Sequence, residues 1–551
     1  MRNQKALVLA GLLVASSLVL AHYWVPSAGA QGAVSVSVSG IVTDDGGRPL
    51  RGARVTVATA RESVSRFADA AGRYRIENLS AGAYEISATA WGYEVKTEAT
   101  ELSADAERNF RLAPQWDVRR LSSADWLSAL PENEETHTLR ATCIRCHNLS
   151  YITRRRGLTE PMWTSIVQNM GEFGDLLNGK PAGIPRDSNM FEATPGIAAK
   201  MGAILTKYFG PNAPVPTREQ VRRPELSDAA LRATFREYKA PSRAYIHSVQ
   251  PDNDGKYVWF TYFGDVTGTT AKLGRFEITT GEIRDIELPS GASTMRVSEN
   301  SKVWVAGGGK LYEVDARTGE YTTHTPPMRI GRTMSDGEDS AGNIWLAGDT
   351  LVKFGPGTSQ WEQFEIPKVS MPATHYERNL GNTREAGQQE FWSRAYALAV
   401  DSKDNIWYAA YDVGHIAMLD PRTKQTKMYR VPDAIMIKGI TVGPDDTVWV
   451  GDFVEGKLVR LDPNTGRMEE FRPPTRYAEF YTAVVGKNGQ VWLSDFSGSQ
   501  MTRFDPQTKQ FTEYPLPAAD GMVRFFGVDP RGHVWYVDFD TGKIGVLEPG
   551  T

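Results

Sequence analysis

Cysteine is nearly absent from this chain: two residues in 551, Cys143 and Cys146. That count excludes a disulfide-built scaffold and any four-cysteine zinc or iron–sulfur centre. An excess of either charge is also missing. The 62 Lys and Arg against 66 Asp and Glu leave a net charge of −4, so there is no electrostatic case for nucleic acid or an anionic membrane surface. Long hydrophobic runs are lacking beyond the N-terminus. The one run there, Ala6 to Ala21, has 16 residues, short of the roughly 20 that span a bilayer. It follows Arg2 and Lys5 and precedes Ala28-Gly29-Ala30, the order of an export signal cleaved before Gln31. No cysteine follows the run closely enough to carry a lipid. The expected product is periplasmic or secreted, with no membrane span after cleavage of residues 1–30.

Glycine and tryptophan are plentiful, at 51 and 14, which points to many turns and a periodic aromatic. Residues 34–113 alternate in short runs such as VSVSVSGIV and GRYRIENL, broken by DDGGRP, DAAG and SAGA. A period of two between turn formers predicts a small all-β domain. Residues 114–131 read as a linker with a short helix capped by Ser122 or Ser123 and stopped before Pro131. Residues 132–211 are helical in pattern, with ETHTLRATC, PMWTSIVQNM and GIAAKMGAILTKYFG. A second linker, 212–231, follows.

From 232 to 551 the chain repeats. Trp259, Trp304, Trp345, Trp407, Trp449, Trp492 and Trp535 are spaced by 45, 41, 62, 42, 43 and 43 residues. Each period holds four short strand patterns with tight turns, the blade of a seven-bladed β-propeller. The 62-residue spacing places about 20 extra residues near 368–390. The last copy stops after three strands, at LEP, whereas TFREYKAP (234–241) has the pattern of an outer strand and precedes the first blade. The two ends are expected to close the ring by sharing the seventh blade, which removes free sheet edges. The expected fold is multidomain and mainly β: a β-sandwich, a small all-α domain and a propeller.

Residues 143–147 read Cys143-Ile144-Arg145-Cys146-His147. This C-x-x-C-H spacing is the c-type haem attachment signature: two thiols reach the two vinyl groups of one porphyrin edge, and the next residue supplies the proximal iron ligand. A thioredoxin-like pair would need a βαβ setting, and a zinc site two more ligands nearby. One covalent haem c is therefore expected, on the only cysteines of the chain. Candidates for the sixth ligand are Met162, Met170, Met190, Met201 and His137.

Three family resemblances follow from quoted residues. Gly40-Ile41-Val42, Gly46-Gly47-Arg48-Pro49-Leu50, Ala53-Arg54-Val55, Gly72-Arg73-Tyr74, Gly82-Ala83-Tyr84 and Gly92-Tyr93 resemble the carboxypeptidase regulatory-like β-sandwich, usually a stability or interaction module. Ile152-Thr153-Arg154-Arg155-Arg156, Trp163 with Val167 and Met170, and Lys207-Tyr208-Phe209-Gly210-Pro211 resemble a c-type cytochrome group whose helix methionine is the axial ligand. That resemblance implies Met170, with Met190 as the alternative. Arg154, Arg155 and Arg156 are read as a solvated basic face or as partners of haem propionates.

Gly443-Pro444-Asp445 to Trp449, Lys457 to Pro463 with Thr465-Gly466, and Lys543-Ile544-Gly545 resemble the virginiamycin B lyase (streptogramin lyase) family. That family implies a histidine base on the inner strand of the last blade and glutamates that hold magnesium. Here the strand reads Met522-Val523-Arg524-Phe525-Phe526-Gly527-Val528, without His or Glu, and His533 lies in the hairpin beside Trp535. Blade geometry instead brings Lys438, Tyr481 and Arg524 to one face, together with Asp452, Asp495 and Asp538, each three residues after its tryptophan. The repeated aspartates are read either as ring members or as turn caps. The insert carrying His375, Tyr376, Glu377, Arg378 and Arg384 is read as a cover for that face or as an exposed loop.

The expected function is electron transfer by an exported mono-haem c-type cytochrome. The propeller would serve as a docking platform for a redox partner protein or as a substrate domain with a small-molecule ligand at its channel. Two other classes are a lyase or hydrolase acting on cyclic esters, and a haem-bearing binding or sensor protein without turnover.

Overall fold

The computed structural model describes residues 35–550 except 145–146, 178–195, 242–244, 265–270, 299, 332, 336, 373–387 and 392. Cys146, Met190 and the insert residues His375, Tyr376, Glu377, Arg378 and Arg384 lie outside the described residues. The protein is mainly β and multidomain, with an N-terminal β domain and a propeller-like C-terminal region.

The N-terminal domain packs two sheets. One holds Ser35–Asp44 against Arg73–Ser80 and the short strands Ala106–Glu107 and Phe110–Leu112. The other holds Glu62–Phe67, Arg54–Ala58, Gly82–Thr89 and Val95–Leu102 in that order. Alternation sends Val38, Tyr74 and Ile76 inward from the first sheet and Val55, Val57 and Ile86 from the second, so a period of two in the sequence becomes one shared core. Gly72 sits at φ +71°, where a Cβ would lie 2.5 Å from the Val42 carbonyl oxygen. Only glycine fits this turn.

Helices follow: α1 (Ser123–Ala129), α2 (Glu134–Cys143), α3 (Ser150–Thr153), α4 (Glu160–Leu177) and α5 (Ile197–Phe209). Ser122 caps α1 by a reciprocal pair: its hydroxyl accepts from the Asp125 N–H at 3.2 Å, and the Asp125 carboxylate accepts from the Ser122 N–H at 2.8 Å. The stretch read as a linker is more than a spacer. Leu121, Trp126 and Leu127 share a core with Leu139 of α2, Trp163 and Val167 of α4, and Met201, Leu205 and Phe209 of α5. The second linker joins it through Val221, and Arg223 pairs with the buried Asp125. Among the described residues no helix is long and apolar enough to cross a membrane.

Among the described residues seven radial sheets follow. The inner strands of the clearest blades are Tyr245–Pro251, Thr294–Val297, Ala395–Val400, Ile437–Val442, Phe480–Val485 and Val523–Val528. The third blade has three strands, Ile344–Ala347, Thr350–Gly355 and Gln360–Glu365. Its inner position is reduced to the bridges Thr333↔Ala347 and Glu338↔Ile344. All seven period-marking tryptophans are buried. Several are tied to the turn before them: the Trp345 and Trp407 indole N–H groups each donate to an aspartate, Asp339 and Asp401, at 2.9 Å. The extra residues near 368–390 include a two-stranded ribbon, Val369–Pro372 with Gln388–Phe391.

The ring closes as the sequence predicts. Thr234–Lys239 pairs antiparallel with Lys543–Glu548, the last strand of the chain. What the sequence does not announce is its other edge. The same strand pairs with Glu62–Phe67 of the N-terminal domain, so blade seven and one sheet of that domain form a continuous eight-stranded sheet.

Candidate functional site at the propeller face beneath the helices

Each of four inner strands breaks register at one place. Ile437 pairs with Asp452 but Ile440 with Val450; Phe480 with Asp495 but Ala483 with Leu493; Val523 with Asp538 but Phe526 with Tyr536; Ala395 with Ala410 but Leu398 with Tyr408. Blade one has a comparable shift at His247, between Ile246↔Tyr262 and Ser248↔Thr261. Such bulges re-aim side chains. Here they carry Tyr396, Lys438, Tyr481, Arg524 and His247, all at the same end of their blades. The structure thus brings the predicted Lys438, Tyr481 and Arg524 together. To these the structure adds Tyr396 and His247.

Lys438 is fully buried. Its Nζ lies 3.5 Å from the Phe453 ring centre and 4.3 Å from that of Tyr481, with Tyr396 at 5.7 Å. Aromatic faces stabilise a cation that has left water. Tyr396 and Tyr481 hydrogen-bond through their hydroxyls. The Arg524 guanidinium stands 4.0 Å over Phe539, and the His247 ring lies 5.2 Å from Phe525.

The repeated aspartates sit at this end too, but as turn caps. Asp452 accepts from the N–H groups of Val454 and Glu455 at 3.3 and 3.1 Å. Asp495 accepts from Glu479 and Gly498, both at 2.9 Å. Asp538 accepts from Met522 and Asp540, both at 3.2 Å. Burial pushes the Asp452 carboxyl up to about 7 and Asp538 to about 6, and raises Asp495 as well. Glu479 is a further buried acid, with neither carboxyl oxygen hydrogen-bonded. Burial holds it well above the usual carboxylate range, against Arg140 and Lys438, which act to lower it.

The helices cover this face. Ala141 of α2 shares a cluster with Phe453, Tyr481, Met522, Phe525 and Phe539. The Ala124 N–H donates to the Ser497 carbonyl at 2.9 Å, His137 lies 3.4 Å from Glu455, and Arg140 donates to the Val454 carbonyl. Arg154 pairs with Asp520, so the basic run is not wholly a solvated face. Arg155 donates to the Tyr151 carbonyl and Arg156 to that of Ala213, each at 2.8 Å.

Cys143 closes α2, and burial pushes its thiol up to about 12. His147 follows on the propeller side. Its Nδ1 lies 2.9 Å from the Asn148 carbonyl oxygen. A carbonyl only accepts, so Nδ1 carries the proton and Nε2 keeps its lone pair, the arrangement of a metal-ligating histidine. Burial lowers the ring's affinity for a second proton, which also favours the ligating form. These residues fit a haem ligand. Among the described residues no cluster of three His, Cys, Asp or Glu is placed to hold a metal ion.

The methionine candidates separate by exposure. Met201 is fully buried in the helical core. Met162, in the first turn of α4, is 50% exposed. Met170 continues the stripe of Trp163 and Val167 on α4, yet it is 39% exposed where they are buried, so core packing does not account for it. His137 is engaged by Glu455 on the propeller side.

Comparison with known proteins adds the following. A family model for the virginiamycin B lyase family matches residues 382–550, and one for the carboxypeptidase regulatory-like domain matches residues 37–113. No curated protein matches the chain. Among solved structures, a streptogramin B lyase is similar at 20% identity over 58% of this chain and 99% of its own, with a TM-score of 0.48. A catalytically inactive virginiamycin B lyase from Staphylococcus aureus, with quinupristin, is similar at 17% identity over 57% and 99%, with a TM-score of 0.47. A structure of U3-55K is similar at 9% identity over 57% and 98%, with a TM-score of 0.45. The chain therefore joins a carboxypeptidase regulatory-like domain at its N-terminal end to a virginiamycin B lyase-like region at its C-terminal end.

Proposed function

We propose that this chain is an exported mono-haem c-type cytochrome that transfers electrons, with the propeller as partner-docking or substrate domain. The observation that carries the reading is the C-x-x-C-H run together with the state of its histidine, Nδ1 donated to the Asn148 carbonyl at 2.9 Å. A bound haem supplies a one-electron iron couple. Cys143 and Cys146 would hold its edge by thioethers, and His147 would present Nε2 to the iron. Met170 is the proposed distal ligand, with Met190 as its alternative. Seating on the propeller supports the substrate-domain version: His147 lies against the blade-seven loops, next to the mouth where Arg524, Tyr481, Lys438 and Tyr396 converge.

The test is a pyridine haemochrome spectrum of full-length protein made in a host competent for covalent haem attachment. A c-type spectrum that survives denaturation and scales to one haem per chain is expected. A colourless protein from that host would overturn the reading.

The virginiamycin B lyase-like match over 382–550 favours one second reading, a lyase or hydrolase acting on cyclic esters. The bases at the mouth open to it are Lys438, the buried Asp452 and His247, the last with Nδ1 3.1 Å from the Ser293 carbonyl. Magnesium-dependent turnover of a lactone by the full chain would establish it; electron transfer without such turnover excludes it.

A further inference from the structure

We infer that blade seven of the propeller is the mount of His147, the residue that would ligate the haem iron, with Asn148 and Tyr151 as its positioning residues; this rests on the haem reading above. The His147 ring is held in two ways. Its Nδ1 donates to the Asn148 carbonyl at 2.9 Å, and its face stacks on Tyr151, with ring centres 4.7 Å apart and planes at 25°.

Both partners are anchored by the propeller. Asn148 is fully buried. Its N–H points to the Met522 sulfur at 3.4 Å, and its side-chain amide donates to the Asp520 carbonyl at 3.2 Å. Its Oδ1 accepts from the Ser150 N–H at 3.2 Å and from the Ser150 hydroxyl at 2.5 Å, at the start of α3. The Tyr151 hydroxyl donates to the Asp540 carboxylate at 2.7 Å, and Arg154, one turn on, pairs with Asp520.

Residues 520–522 lead into the inner strand of blade seven, and Asp540 follows its second strand. These two loops are bonded to each other: the Phe539 N–H donates to the Met522 carbonyl at 2.9 Å, and the Met522 N–H donates to Asp538 at 3.2 Å. The carbonyl and the ring that fix the histidine are thus parts of one rigid bracket, and the bulge residue Arg524 of the channel mouth stands two residues beyond Met522.

The chemical consequence lies in the iron couple. With haem bound, the Nδ1–H hydrogen bond would raise the basicity of Nε2 and favour the ferric state. Loosening the bracket weakens that bond and raises the reduction potential. A change at the channel mouth is then communicated to the haem through the histidine itself.

The experiment uses full-length, haem-loaded protein and the variants Tyr151→Phe, Asp540→Ala, their combination, and Asn148→Ala. A pyridine haemochrome spectrum is taken first. Its failure in the wild type counts against the haem reading alone, which separates that failure from failure of the mount. Midpoint potentials and low-spin electron paramagnetic resonance spectra follow.

Tyr151→Phe keeps the stack but cuts the link to Asp540. It is expected to raise the potential, by about 30 to 60 mV for a threefold to tenfold change in the one-electron constant. Asp540→Ala is expected to do so as well, and the combination to match Asp540→Ala alone. Asn148→Ala, if it folds, is expected to alter the g-values of the low-spin signal. The mount is overturned if Tyr151→Phe leaves both potential and spectrum at wild-type values. It is equally overturned if the Tyr151 and Asp540 effects add, since Asp540 then acts as a distant charge.

Discussion

The ammonium of Lys543 lies 2.7 Å from the carboxylate of Glu237. This ion pair joins the last strand of the chain to the strand that precedes the first blade. Glu237 is buried and also accepts from the Tyr536 hydroxyl at 3.1 Å. Replacing Glu237 by Ala leaves a fully buried phenol and a half-covered ammonium without their acceptor. Part of the ion pair is screened, because Lys543 is 36% exposed. The expected loss is about 2 kcal/mol, seen as a lower urea midpoint for unfolding of the propeller. An unchanged midpoint would show that the seam does not depend on this pair.

Removal of the N-terminal domain should have a cost beyond its own fold. Glu62–Phe67 covers the outer edge of Thr234–Lys239, and a bare edge strand templates pairing with other chains. A chain starting near residue 114 is expected to form oligomers or aggregate at concentrations where the full chain is monodisperse. Light scattering on the two proteins decides this.

Met170 is exposed on the face of α4 that carries the buried Trp163 and Val167. Met170→Ala should therefore leave thermal stability nearly unchanged while abolishing the low-spin methionine–iron absorption of the haem-loaded protein. Retention of that absorption would move the distal ligand to Met190, and Met190→Ala would then remove it.

Asp452 gives a pH signature with a definite sign. Its folded-state carboxyl is pushed from the ordinary 3.8 up to about 7 by burial. Between those values the folded chain holds a proton that the unfolded chain has released. This contribution to stability is therefore present in full below about pH 4 and is lost as pH rises toward 7. Asp452→Asn keeps an oxygen to accept from Val454 and Glu455 but cannot ionise. The variant should show a shallower fall in unfolding midpoint from pH 4 to 7 than the wild type. Parallel profiles would rule out a protonated Asp452.

Much of the fold was legible because it is local or periodic. The tryptophan period marks the blades, the LEP ending and TFREYKAP name the two halves of the seam, and a serine at 122 or 123 announces the start of α1. The mouth was legible in part. Tyr396, Lys438, Tyr481 and Arg524 each stand 11 residues before their blade tryptophan, so the period that found three of them also contains Tyr396. His247 stands 12 before Trp259, off that register by the one residue its bulge absorbs. Asp452, Asp495 and Asp538 were placed at the correct end of their blades, but their backbone partners belong to turns whose shape only the folded chain supplies.

Glu479, Asn148 and Asp540 left no signal in the sequence. Their roles come from packing α2 and α3 on the propeller, between segments more than 300 residues apart, and no period or spacing encodes such a contact. The continuous sheet across the N-terminal domain escaped for the same reason, since any polar-alternating strand reads alike at an edge or inside.

The shared seventh blade also fixes an order of assembly. Synthesis begins at the N-terminus, so Thr234–Lys239 emerges early and can dock on Glu62–Phe67 long before its second neighbour, Lys543–Glu548, exists. The β domain then acts as a template that holds one jaw of the ring in place. The other jaw arrives only with the final residues of the chain, and a contact of such long sequence separation forms late. Asn148 and Tyr151 meet blade-seven residues Asp520, Met522 and Asp540, which arrive only at the end of that interval. Under the haem proposal, attachment at Cys143 and Cys146 would precede ring closure, an order set by the linear sequence of the polypeptide.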